Sequence, residues 1–468
     1  MQLNGRKLII STVRNINKSN IVDVLNTALP VFTYNQAQIG YLFNYYKGIQ
    51  PILQREKVYH QEINNKVIEN HAREIVAFKV GYLLWKPIEY VSRKENTENI
   101  KIEELNDFMV LEDKVGKDKT IAKHQSICGT AYRLGLANPN YEVGGSESPF
   151  NVYTVNPMNA FVVYSADFKK EAVLGVIVDT VFDEAGQPQT RLQAYTKTRF
   201  YEIINQQITQ NKSHTYGYIP LIEYPLNEER VGDFEQVIDL LDSINKVQSN
   251  RLDAVEEFVQ ALMVFKNVDI KEEDIRKLKE LGAIKIKDGS KEMSANVSYL
   301  TQELNQTQIQ TLKQDMYNVV LKIVGMPSQS DGNTGDSSNN GAVILKNGWQ
   351  GADARASETE VMFKTSENQF LKLILDITRV MTENNVSLKL SDIDIKFTRR
   401  NYENLYQKAQ VLDLLLKNNK VAPQLAFQVC GLFTDSEEAY TISKDYYEKA
   451  EAESVELMNK SSEEVENG

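Results

Sequence analysis

The polar segment DGNTGDSSNNG, residues 331–341, holds the side chains that could do chemistry most directly, and it contains no apolar residue. Its serines and asparagines offer hydrogen bonds to phosphate without a fixed charge. A nucleotide-binding phosphate loop would need an apolar strand before it and a Gly-Lys-Ser/Thr step within it, and both are missing. By its composition alone, the segment is typical of a solvated surface connector between two helices.

The sequence contains no other recognisable catalytic or metal-binding motif. The four histidines share no motif, and no H-E-x-x-H, C-x-x-C or G-x-S-x-G pattern is present. Cys128 and Cys430 lie far apart without partners at metal-ligand spacing. We therefore expect no catalytic residue, no metal, no cofactor and no enzymatic activity.

Composition and charge limit the classes of molecule that the protein is expected to bind. Apolar residues make up 42% and charged residues 25%, which permits sizeable cores. The net charge is −11, and residues 435–468 hold eleven acidic against three basic side chains. No basic stripe of a tight nucleic-acid binder is visible, and no apolar run approaches the roughly 20 residues that span a bilayer. We expect no membrane contact, and the low cysteine content indicates a reducing, cytoplasmic setting.

Periodicity predicts an α+β chain that is mainly helical. Alternating apolar segments from about 87 to 225 are typical of an antiparallel sheet region. Glycines 348 and 351 predict a kink near the start of the last long helix. The other predicted elements are helices at 35–60, 62–82, 102–114, 118–128, 233–266, 303–325 and 342–384, a strand at 392–398, and helices in the remainder.

The order of these parts resembles the portal protein of tailed bacteriophages. The most specific stretch is GYIPLIEYPLNEERVGDFEQVIDLLDSINKVQSN (217–250), with its Asn-x-Glu-Arg and Gly-Asp-aromatic-Glu entering a long helix. GYLLWKPIEY (81–90), CGTAYRLGLANPN (128–140) and VNPMNAFVVYSAD (155–167) are similar to further elements of that family. The resemblance covers about residues 40–435 and is to the type found in siphoviruses of Gram-positive bacteria.

The resemblance implies a portal-protein fold with a mixed α/β wing, long stem helices, a small clip and a helical crown, assembled as a ring. The implied domains are a wing at 1–232, stem helix 1 at 233–266, a clip at 267–302, stem helix 2 at 303–326, a tunnel loop at 327–341, a long kinked helix with a wing strand at 342–400, a crown at 401–455 and an acidic flexible tail at 456–468.

The resemblance also implies a function and partners. The ring, commonly a dodecamer, would stand at one capsid vertex of the virion as the channel for genome packaging and ejection. Double-stranded DNA would pass without sequence recognition. The large terminase subunit, head-completion or adaptor proteins, and the major capsid and scaffolding proteins would be partners, with assembly in the host cytoplasm.

We predict three groups of functional residues, one each for the tunnel loop, the clip and the stem. The tunnel loop would present to DNA the residues Gln329, Asp331, Asn333, Thr334, Ser337, Ser338, Asn339 and Asn340, with Lys346 as a nearby positive ring. The clip would dock the terminase through Lys271, Glu272, Arg276 and Lys279. Packing between subunits through the stem would bury Val237, Ile244, Val255, Leu262, Ile309, Leu312 and Val319.

One observation on charge supports a channel independently of the resemblance. Each neutralised phosphate adds affinity, so strongly basic walls would stall moving DNA. Residues 233–266 hold seven acidic and three basic side chains. The alternatives are a helical assembly scaffold or head-tail adaptor without a DNA channel, and then an enzyme.

Overall fold

The computed structural model describes residues 3, 5–58, 61–93, 99–259, 262–266, 296–300, 306–328, 348–383, 388–398, 405–433 and 436–450. The helices in these ranges are α1 (Ile21–Tyr46), α2 (His71–Leu83), α3 (Asn99–Leu111), α4 (Lys114–Cys128), α5 (Ile238–Val259), α6 (Gln306–Val324), α7 (Trp349–Met381), α8 (Leu405–Leu416), α9 (Pro423–Cys430) and α10 (436–450).

The strands in the same ranges form four sheets. They are β1 (Ile9–Ser11), β2 (Glu89–Ser92), β3 (Thr130–Ala137), β4 (Phe150–Val155), β5 (Ala160–Ser165), β6 (Ala172–Phe182), β7 (Pro188–Tyr195), β8 (Arg199–Ile204), β9 (Gln207–Ser213), β10 (Leu221–Pro225), β11 (Leu262–Lys266), β12 (Asn296–Leu300) and β13 (Ile393–Lys396). The predicted α+β class is confirmed.

The larger sheet has the order β1-β5-β6-β7-β8-β9 and is antiparallel except for the β1–β5 pair. Strand β5, AFVVYS, is an almost continuous apolar run, as expected of a strand that is covered on both faces. Phe161 and Val163 pack with α1, whereas Ala160 and Val162 pack with β3 and β10 of a second sheet. The two sheets and α1 therefore form successive layers.

The second sheet, β10-β3-β4, supports the long helix α7. Phe363, Phe370 and Ile374 of α7 are fully buried in one core with Phe150 and Tyr224 of this sheet. The same core includes α3 and the β2–β13 pair. The wing strand predicted at 392–398 is therefore β13, which joins residues far apart in sequence.

The N-terminal helices differ from the prediction. Helix α1 occupies 21–46 rather than 35–60, because Gly48 at φ +90° and a short 3₁₀ turn at Pro51–Gln54 follow its end. Residues 62–70, predicted as helix, have no regular secondary structure, and α2 begins only at His71.

The long helices also have different bounds. Helix α5 stops at Val259, and residues 262–266 form a strand instead of continuing the predicted helix 233–266. Helix α7 begins after Gly348, whose φ of +79° is left-handed, so a change of chain direction precedes the helix. Among the helices of the described ranges, none is long and apolar enough to cross a membrane.

Candidate functional site

Helices α5 and α6 are the two rods that the sequence predicts as the stem. Arg251, near the end of α5, donates to Gln306 and Gln310 at the start of α6, at 2.6 and 2.8 Å. At the opposite end, Ile244 of α5 and Val320 of α6 share one buried cluster. The two helices therefore run antiparallel.

The predicted stem-packing residues do not all face the same way. Val237 and Ile244 are fully buried within the single chain, so the prediction that a second copy buries them is wrong. Val255, Leu312 and Val319 instead expose 40%, 53% and 46% of their surface. These three side chains are therefore open to another molecule.

The other two predicted stem residues lie at the end of the hairpin. Ile309 is partly exposed on α6. Leu262 lies in strand β11 opposite Leu300 of β12, so its assignment to a stem helix is also wrong. Helix α5 does not extend to Leu262, because Leu262–Lys266 pairs with strand β12.

Apolar residues that the prediction did not include extend the exposed set. Leu312, Val319 and Ile323 follow one another at intervals of seven and four, which places them on one face of α6. Leu252 and Val255 share a face of α5 and are similarly exposed. We call these five the exposed stem residues.

The predicted tunnel loop and clip lie mostly outside the described residues. All site residues predicted for these two segments also lie outside them. The residues at which the two segments join the rest of the chain are described. A Cβ placed on Gly348 would lie 3.7 Å from the Cα of Pro327. Lys266 pairs with Asn296 across the β11–β12 ladder. Each segment therefore leaves and re-enters the described structure at neighbouring points.

These attachment points lie at opposite ends of α6. The tunnel loop begins after the end of this helix, and the β11–β12 pair precedes its start. A helix of this length spans about 28 Å at ~1.5 Å per residue. The predicted loop and clip are therefore attached at separate levels of the stem.

Residues 62–70, which we call the strap, attach the N-terminal region to α5. The backbone N–H groups of Asn65, Val67 and Glu69 donate to side chains of α5 at 2.8, 3.0 and 2.8 Å. The acceptors, in the same order, are Asp253, Ser249 and Asn245.

The spacing explains this pairing. Every second residue of an extended chain recurs after about 6.6 Å, and every fourth residue of a helix after about 6 Å. Buried polar residues four apart on α5 therefore match strap residues two apart. Arg55 and Lys57 also pair with Asp253, at 2.9 and 3.3 Å. Burial tends to raise the pKa of Asp253, but the Asn65 donors and these cations lower it overall.

The sequence Asn-x-Glu-Arg-x-Gly-Asp-Phe-Glu at 227–235 forms the turn that leads into α5. Asn227 closes the turn by accepting from Val231 N–H at 2.8 Å and donating to its carbonyl at 2.9 Å. Arg230 forms two hydrogen bonds with Glu223, at 2.7 and 2.9 Å. Burial tends to raise the pKa of Glu223, but the arginine lowers it overall.

The acidic residues of the same turn bind neighbouring segments. Glu235 accepts from Gly232 N–H at 2.9 Å and pairs with the buried Arg6 at 2.6 Å. Asp233 accepts from Ser126 at 2.5 Å, and burial raises its pKa. The polar motif therefore holds together the start of α5, the N-terminal segment and α4.

Glycines allow the backbone to approach this turn closely. Gly129 has φ +75°, and a Cβ there would lie 2.0 Å from the Arg230 carbonyl oxygen. A Cβ on Gly5 would be equally close to the Glu229 carbonyl oxygen. A side chain at either position would displace the turn.

A buried ionic cluster anchors α7. Glu367 accepts from Arg133 at 2.9 Å, from Lys114 at 3.0 Å, from Tyr224 at 2.8 Å and from Tyr90 at 2.5 Å. Asp118 also pairs with Arg133 and, at 2.6 Å, with Lys114. Two cations therefore balance two anions where α4, α7, the β10-β3-β4 sheet and the β2–β13 pair meet.

The strap, the turn contacts and this cluster were not predicted from the sequence. A signal was present for some of them: Arg133 and Glu223 interrupt otherwise apolar strands, and a lone charge in a buried run requires a partner. Asn245, Ser249 and Asp253 recur every four residues along a helix, which indicates a polar ladder. Their partners could not be identified, because they lie far away in sequence. Within the described ranges no group of three His, Cys, Asp or Glu could hold a metal ion.

Two known proteins are similar to this chain. The portal protein of Clostridium phage phiCD119 is 23% identical over 367 residues, covering 71% of this chain and 78% of that protein. A solved structure described as the neck of an empty GTA particle, computed with C6 symmetry, aligns with a TM-score of 0.45 and 10% identity, over 77% of this chain and 90% of that one.

The family comparison covers more of the chain than either of these. The model of the family "Phage portal protein, SPP1 Gp6-like" matches residues 32–466, which include the strap, the stem helices, the 227–235 turn and α7. The chain belongs to the SPP1 Gp6-like family of phage portal proteins.

Proposed function

We propose that this chain forms a closed ring at one capsid vertex and serves as the channel for genome packaging and ejection. The exposed stem residues are the observation that carries the proposal. They are aliphatic side chains on two helices whose other faces are already buried within the chain. Burying one such side chain completely contributes roughly 1.5–3 kcal/mol, so contact with the next copy would stabilise a ring.

The attachment of the loop and the clip at opposite ends of α6 supports separate functions for the two segments. The clip, at the start of α6, would dock the large terminase subunit and later the head-completion proteins through Lys271, Glu272, Arg276 and Lys279. The tunnel loop, at the other end of α6, would face DNA. Capsid and scaffolding proteins would contact other parts of the ring, and no membrane would take part.

Weak contact with DNA suits a channel. Serine and asparagine groups at 337–340 offer exchangeable hydrogen bonds, and glycines let neighbouring copies adopt different loop conformations at little cost. Lys346 would supply a sparse positive ring. Glu235 and Asp253 are already paired within the chain, so the exposed acidic residues of the first stem region, such as Asp239 and Glu256, would be the ones that limit tight phosphate binding. We expect the chain itself to hydrolyse no ATP, because no phosphate loop is present in its sequence.

Light scattering combined with negative-stain imaging tests the ring. A portal must show closed rings with an axial hole, and ATP turnover must be absent when no motor subunit is added. A scaffold or adaptor without a channel would give other assemblies or discs without a hole. A strictly monomeric protein at micromolar concentration would refute the proposal.

A further inference from the structure

His71 lies at the junction of four segments. Its Nε2 atom is 2.9 Å from Glu69 of the strap, and its Nδ1 atom is 2.8 Å from Glu74 of α2. Its ring packs on Tyr317 of α6 with 4.4 Å between ring centres. The side chain is mostly buried.

The same two carboxylates also bind the stem helices. Glu69 accepts from Lys313 of α6 at 2.7 Å and from Gln248 of α5. Glu74 accepts from the Tyr317 hydroxyl at 2.7 Å. The strap, α2, α5 and α6 therefore meet at one polar cluster, within a single chain.

The hydrogen-bond geometry favours a protonated ring. A neutral imidazole carries one N–H, so one of its nitrogens would face a carboxylate with a lone pair. An imidazolium donates to both carboxylates. With His71 and Lys313 charged, two positive groups balance Glu69 and Glu74; after deprotonation one negative charge is left without compensation.

We propose that His71 is a proton-operated latch that holds the stem helix α6 against α2 and the strap. In acid the imidazolium bridges the two carboxylates, and Tyr317 and Lys313 of α6 are held by the same pair. In alkali the ring loses one donor, and α6 is held less firmly where Lys313 and Tyr317 contact the two carboxylates. The latch acts within one chain, so it does not depend on ring formation.

The direction of the pH effect follows from the groups around the ring. Burial tends to lower the pKa of His71, but the bonds to Glu74 and Glu69 raise it overall. The bond to His71 is the main cause that lowers the pKa of Glu74. The stabilisation is therefore complete below the usual histidine pKa of about 6.5 and is lost as pH rises through the folded value.

Hydrogen exchange of peptides from 306–324, followed by mass spectrometry between pH 5.5 and 9 and corrected for intrinsic exchange rates, tests the latch. In the wild type the protection should fall with rising pH, by about tenfold for each unit that the folded pKa exceeds the unfolded one. His71→Gln should show low protection that no longer depends on pH. Glu74→Gln removes one of the two anions, so its transition should move to lower pH.

His214→Gln is the matched control. His214 contacts the Thr196 carbonyl at 3.0 Å, away from the stem helices, so its loss should leave the exchange of 306–324 unchanged. Thermal unfolding at pH 6 reports whether each variant folds. If the wild type shows pH-independent protection of 306–324, or if His71→Gln keeps the wild-type transition, the latch does not exist.

Discussion

Gly348 lies beside Pro327: a Cβ placed on the glycine would come within 3.7 Å of the proline Cα. Pro327 follows α6 as the first residue of the predicted tunnel loop, and Gly348 precedes α7. Because the two ends of the segment already meet, shortening it between them requires no movement of either helix.

Deleting Asp331–Asn340 and bridging the gap with a short glycine linker should preserve ring assembly and incorporation into procapsids, while genome packaging or retention fails. Negative-stain imaging and the yield of DNA-filled heads measure the two effects. A scrambled loop of the same composition is the control and should package DNA, because the proposed contact depends on small polar groups. Normal packaging by the deletion would show that the loop is only a connector.

Gly129→Ala should destabilise the protein by about 2–4 kcal/mol, because its left-handed backbone disfavours a side chain and the new Cβ meets the Arg230 carbonyl. Gly144→Ala is the matched control: its φ is +81°, but nothing lies within 4 Å of a Cβ there. The control should lose only about 1–2 kcal/mol. Urea unfolding of both variants measures the difference, and equal losses would contradict the close approach.

Glu367→Gln should cost roughly 3–5 kcal/mol at neutral pH, because Arg133 and Lys114 would remain buried with one anion fewer. Burial tends to raise the pKa of Glu367, but Lys114 and Arg133 lower it to about 2. Its stabilising contribution is thus complete above pH 4.5, the ordinary value, and is lost as pH falls toward 2.

Urea midpoints measured from pH 6 down to pH 3 check this prediction. The wild type should lose stability over the acid range more steeply than Glu367→Gln. Asp413→Asn, which removes an exposed partner of Lys417, should change stability by less than about 1 kcal/mol. Similar losses for the buried and exposed variants would contradict the assigned role of the cluster.

Val319→Asp should weaken the ring without unfolding the chain, because this half-exposed valine lies on the face of α6 proposed to meet the next copy. Size-exclusion chromatography with light scattering across a dilution series measures the shift toward smaller species. Val143→Asp, at an exposed position in the 138–149 connection, should leave the ring intact. Rings equally stable in both variants would exclude this face from the interface.

Charge reversal at Lys271 and Arg276 should leave rings intact and weaken binding of the terminase subunit. The loss should be larger at low salt, because surface charge pairs are screened as ionic strength rises. Surface plasmon resonance at two salt concentrations measures it, with Lys417→Glu as a charge reversal outside the clip. Unchanged affinity after both reversals would refute the clip assignment.

The sequence alone determined those secondary-structure elements whose apolar residues recur with a regular spacing within the element itself. Strand β13 lies within the strand predicted at 392–398, and β3 lies within the sheet region predicted from about 87 to 225. The order of parts and the 217–250 stretch were enough to predict the family, which the comparison confirms. Local spacing was sufficient to predict these strands, because the alternation of apolar and polar side chains indicates which face of a strand is buried.

Tertiary contacts decided the rest. The strap has apolar residues at helical spacing, yet it is not helical, because α5 supplies an acceptor to Asn65, Val67 and Glu69 from some 180 residues away. Helix α5 ends early because Leu262 finds a strand partner in Leu300. Val237 and Ile244 are likewise buried because the fold brings them into one core with Tyr45 of α1 and with α6 residues such as Val320. Such partners lie outside any local window, so periodicity cannot show them, whereas the folded chain brings them within hydrogen-bond or packing distance.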